Sequence, residues 1–110
     1  MKLPSKELAS AVLGNKIVSC DISKNELRYS LIECRAIDDC EENLYTVNIY
    51  EFANLVKEYM SDNKIAIIKS SKSANYGWFA ESLLTGVVSA DTEPEAIFKA
   101  GDCILNETQD

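Results

Sequence analysis

Asp38, Asp39, Glu41 and Glu42 crowd into the run Asp38-Asp39-Cys40-Glu41-Glu42-Asn43, and carboxylates this close can do chemistry in more than one way. One of a pair can be kept protonated as a general acid, several together can ligate a hard cation, or all can offer negative charge to a partner. The acid role requires a desolvated carboxyl, whereas this polar run reads as a solvated loop. The cation role fares no better, because the stretch has neither the ligand spacing nor the central glycine of a helix-flanked calcium loop. Charge presentation is what remains.

Tyr76, Trp78 and Phe79, around Gly77, form the densest aromatic cluster. Such residues either pack a hairpin or anchor an interface, for which Trp and Tyr are favoured types. With the acidic run they complete the candidate partner-binding set: Asp38, Asp39, Glu41, Glu42, Tyr76, Trp78 and Phe79.

The chain has no histidine, which excludes Ser-His-Asp and Cys-His nucleophiles and removes the usual acid–base group at neutral pH. No phosphate-binding loop stands beside its helices. Its four cysteines, Cys20, Cys34, Cys40 and Cys103, contain no CxxC pair, so zinc would need all four thiolates or added carboxylates. The residues thus assign no catalytic, cofactor-binding or metal-ligating position, and the expectation is a protein that is not an enzyme and uses no cofactor.

The first residues, Met1-Lys2-Leu3-Pro4-Ser5-Lys6-Glu7, lack the apolar stretch of a secretory signal, and no apolar run is long enough to span a membrane. The chain is therefore expected in the cytoplasm with all four thiols reduced and mostly buried, and no membrane contact is expected. Eighteen acidic against 11 basic residues give a net charge of −7. That balance disfavours direct nucleic-acid binding, which needs clustered cations. It fits plain solubility, and it also fits imitation of nucleic-acid phosphates against a basic groove, although interspersed lysines dilute the pattern.

The elements that must position these residues follow from periodicity and caps. Leu8, Ala9, Val12 and Leu13 share a helical face after Pro4, and Gly14 can end a helix over residues 5–13. Alternation marks a strand at 16–23, and a polar turn leads to a second at 27–36. The acidic loop and a short extended piece at 44–47 follow. Asn48 then caps a helix whose Ile49, Phe52, Ala53, Val56, Tyr59 and Met60 hold one stripe. Residues 64–70 read as a short strand, 70–75 as a polar tip and 76–89 as a longer strand. Thr92, with Pro94 and Glu95 behind it, opens a last helix with Ala96, Ile97, Ala100, Ile104 and Leu105 on its buried side. The order αββαββα predicts a single α+β domain over 1–110, with a mainly antiparallel four-stranded sheet and three packed helices.

The stretches 5–14, 48–59 (Asn-Ile-Tyr-Glu-Phe-Ala-Asn-Leu-Val-Lys-Glu-Tyr) and 91–100 (Asp-Thr-Glu-Pro-Glu-Ala-Ile-Phe-Lys-Ala) resemble small uncharacterised proteins of tailed bacteriophages and prophages. The hairpins between them match nothing specific, and the resemblance transfers no catalytic residue. It implies origin and fold, not activity: a phage or prophage protein in the bacterial cytoplasm. For a small, acidic chain of that origin without catalytic groups, the expected function is that of a non-enzymatic accessory protein that binds and modulates a bacterial host or defence protein. The alternative is a structural, self-assembling accessory protein such as a homodimer.

Overall fold

The computed structural model describes residues 3–75 and 77–108, the side chain of Thr108 excepted. The elements are α1 (Lys6–Leu13), β1 (Ile17–Ser23), β2 (Glu26–Ala36), β3 (Asp39–Asn48), α2 (Ile49–Asp62), β4 (Lys69–Ser73), β5 (Gly77–Ser82), β6 (Gly86–Ala90) and α3 (Glu93–Thr108). The class is α+β with three helices, as expected. The strands form two antiparallel sheets, β1-β2-β3 and β4-β5-β6.

Side-chain caps set where each helix starts. Ser5 Oγ accepts the amide of Leu8 at 3.0 Å, and Gly14, at φ 73°, takes the left-handed turn that ends α1. Asn48 Oδ1 accepts the amides of Tyr50 at 2.8 Å and Glu51 at 3.4 Å. Thr92 Oγ1 accepts the amide of Glu95 at 3.4 Å, as its cap position predicts. At the end of α2, Met60 O takes the amides of Ile65 and Ala66, while Lys64 turns the chain at φ 56°.

The single four-stranded sheet expected from the sequence is not formed, because each hairpin gains a third strand. Residues 39–48, expected as an acidic loop and a short extended piece, are one strand paired along the whole of β2. The stretch expected as one strand at 76–89 folds back at residues 83–85, where Ser82 Oγ accepts the Thr85 amide at 3.1 Å. The strand expected at 64–70 begins only at Lys69. Connectivity explains why the sheets stay apart. Asn48 is both the last residue of β3 and the cap of α2, so the chain leaves the first sheet at its edge and passes straight into a helix.

The core lies where the helices meet. Phe52 of α2 and Phe98 of α3 are buried with ring centroids 5.6 Å apart, tilted by 58°, a favoured edge-on geometry. Gly101 lets the third helix in: a Cβ there would stand 2.9 Å from Leu8 Cδ2 and 3.1 Å from Val56 Cγ1. Helix α2 touches β2 and β3, α3 touches all of β4, β5 and β6, and the backbones of the two sheets do not approach each other closely among the described residues. Ser5 Oγ donates to Asp102 Oδ1 at 2.6 Å, tying the cap of α1 to α3.

A candidate partner-binding arm

Strand β1 pairs with β2 only as far as Leu31, so beyond that point β2 has β3 as its sole neighbour. The two continue as a two-stranded ribbon to a turn at Ile37 and Asp38, and every residue from position 32 to position 42 is exposed. Hydrophobic burial stops here because no helix covers the sheet. What stabilises the ribbon is instead polar and covalent.

On one face, Glu33 accepts hydrogen bonds from the Tyr45 hydroxyl and from Asn43 Nδ2, the latter at 2.9 Å. Tyr45 stacks on Tyr29 at 5.6 Å and 20°. The Tyr45 hydroxyl, with the Asn43 amide, holds the Glu33 carboxyl below the usual glutamate range, while the same bond holds the tyrosine above its ordinary value. On the other face, Ser30 donates to Glu42 Oε1 at 2.8 Å. Its one proton is thereby used, so Ser19 donates to Ser30 across 2.6 Å. Ile32 and Leu44 lie diagonally on that face, 53% and 80% exposed.

The expectation of four reduced cysteines is overturned near the tip. Cys34 and Cys40 are register partners across the ribbon and form a disulfide; Cys20 and Cys103 remain free. The physical reason is the strand that replaces the expected loop, which sets the two side chains opposite each other on an antiparallel ladder. Burial pushes the Cys20 thiol up; the adjacent Asp21 adds to the rise and Lys6 offsets part of it.

Of the expected contact residues, Asp38 lies in the turn and Asp39, Glu41 and Glu42 along β3, all exposed. Glu42 is not a loose surface charge, since it accepts from Ser30. Tyr76 lies outside the described residues. Trp78 is half-buried against the core and Phe79 sits on the opposite face of β5. The acidic and aromatic stretches occupy different sheets and do not form one surface.

Sequence reasoning missed that Glu33, Asn43 and Tyr45 form one cluster, since they become neighbours only once the turn is placed at residues 37–38. It also missed a bridge in which Lys57 Nζ donates to Ser70 Oγ at 2.9 Å and Ser70 donates to Glu93 Oε2 at 3.1 Å. A Ser–Lys pair can be a nucleophile and its base. Here the ammonium is the donor and the hydroxyl proton points to the carboxylate, so the bridge pins α2, β4 and α3 together. Among the described residues no cluster of His, Cys, Asp and Glu suits a metal ion, and no helix is long and apolar enough to cross a membrane.

These features define a class: an α+β protein of two helix-joined antiparallel meanders, one extended as a bridged acidic ribbon. Comparison with protein-family models, curated proteins and solved structures finds no match to the chain.

Proposed function

We propose that this chain is a non-enzymatic binding protein whose β2–β3 arm occupies a surface on another protein. The observation that carries the reading is the arm itself. A lone two-stranded ribbon is marginal in water, yet this one is reinforced by a disulfide, a stacked tyrosine pair and a three-residue polar cluster while leaving Ile32, Ile37 and Leu44 exposed. Reinforcing an uncovered ribbon that exposes apolar side chains makes sense if it is held ready for a partner, since a preordered element loses less entropy on docking.

The partner chemistry follows from charge. Glu33, Asp38, Asp39, Glu41 and Glu42 against Arg35 make the arm acidic, which fits a cationic protein surface with an apolar centre. Charge would govern association and the apolar residues the lifetime. The resemblance of the three helices to phage and prophage proteins supports a bacterial host or defence protein as the partner, met in the cytoplasm.

The test is capture from bacterial lysate by the intact chain and by two arm variants. Replacing Asp38, Asp39 and Glu41 with Lys should slow association and alter its salt dependence, and Leu44→Asp should speed dissociation. Capture unaffected by both variants would exclude the arm as the contact.

A further inference from the structure

Away from the arm, the segment that leaves α2 and the β5–β6 turn enclose a second unpartnered feature, a groove of about 500 Å³. Ile67, Leu83 and Leu84 are apolar side chains lining it, exposed at 68%, 105% and 45%. Single exposed apolar side chains need no explanation, but contiguous ones around a concavity mark a contact site. The charges along this groove and the one continuous with it are mixed: Lys64 and Lys69 with Glu81.

The arm tip carries the matching set. Ile37 is 97% exposed at the turn, with Arg35 on one side and Asp38 and Asp39 on the other. Two acids and one base at the tip face two bases and one acid at the groove, around an apolar centre in each case. None of these six charges is in an ion pair among the described residues. Ile37 is almost fully exposed and so not seated in the groove of its own molecule, which leaves the tip free to meet the groove of another.

We propose that the groove receives the arm tip of a second copy of this chain, so that the protein associates head to tail. This rests on the reading of the arm as the contact element. It adds that the arm has two occupants, a like copy and a foreign partner, which compete for it. The net charge of −7 on each copy opposes approach at long range, but screening over about 8 Å at physiological ionic strength leaves local complementarity to decide. Because the tip and groove are different surfaces, the interface is heterologous and each dimer keeps one free tip and one free groove.

Heterologous association has a complementation signature. Sedimentation of the wild-type chain over a wide concentration range should show growth in mass, and Ile37→Asp and Leu83→Asp, both at exposed positions and checked by circular dichroism, should each abolish it. Mixing the two variants should restore a one-to-one dimer and nothing larger, since each partner contributes its one intact surface. A wild type that stays monomeric throughout, single variants that still associate, or a mixture that stays monomeric would each overturn the proposal. A monomeric chain whose arm still captures a lysate protein sinks this inference alone. Head-to-tail assembly without any captured protein instead sinks the foreign-partner reading and leaves this one standing.

Discussion

Glu33 shows how one carboxylate can organise an uncovered ribbon. It ionises more readily in the fold than in an unfolded chain because Tyr45 and Asn43 donate to its charged form. A lowered value means that its contribution is complete above the ordinary glutamate range and is lost as pH falls through the folded value. The Tyr45 shift runs the other way, so the bond is also lost as pH rises through the raised tyrosine value. Tyr45→Phe keeps the ring that stacks on Tyr29 and removes the donor. The Glu33 carboxyl, followed by NMR titration, should then move up toward the ordinary range, with Asn43 alone still holding it down. An unchanged titration would mean that the hydroxyl is not its main partner. Gly77 marks a different residue-scale constraint: at φ 86° its missing Cβ would stand 2.7 Å from Ala90 O, so the turn into β5 is closed to other residues.

At the scale of elements, what was legible in the sequence depended on how local its cause is. The caps at Asn48 and Thr92 and the apolar stripes of α1, α2 and α3 rest on contacts within a turn or two, and the helices stand where those residues place them, although Ser5, expected as the first residue of α1, is its cap. The third strand of each sheet was not legible. Strand β3 is written as a polar, acidic run because it faces water on both sides, and no burial imposes alternation on it. The same blindness hid the disulfide, which follows from the β2–β3 register and not from cysteine spacing. Of the candidate contact residues, the acidic run lies in the β2–β3 turn and along β3, whereas Trp78 and Phe79 lie on β5 of the other sheet, and the groove needs residues far apart in sequence. The arm's covalent tie has a measurable consequence. Closing so short a loop is worth about 2 kcal/mol in the chain-entropy account, comparable with the whole stability of an isolated ribbon. Two thiol equivalents from a dithiol reductant, itself oxidised to a disulfide, should therefore speed amide exchange across residues 32–42. Protection in α2 and α3 should persist. Uniform loss of protection would place the arm inside the cooperative core.

Across the whole molecule, the principal extents are 53 × 32 × 20 Å and the radius of gyration is 14.8 Å, against about 13 Å for a compact chain of this length. The excess fits a projecting arm and two sheets that meet only through helices. The sheets are coupled through the helices: by the seam where Phe52 meets Phe98, with α2 reaching β2 and β3 and α3 reaching β4, β5 and β6, by the Lys57–Ser70–Glu93 bridge, and by α1, which touches β1 and α3. Emptying a fully buried aromatic site costs about 3 to 5 kcal/mol, a large share of the stability of a domain this small. Phe52→Ala should lower the melting temperature by well over 10 °C at about 4 to 8 °C per kcal/mol. If the seam is the coupling element, amide protection in β1–β3 and in β4–β6 should fall together in that variant. A melting point equal to the parent's would mean that Phe52 is not a core residue. A large drop confined to one sheet would mean that the sheets fold as separate units and that the helices pack on them without joining them.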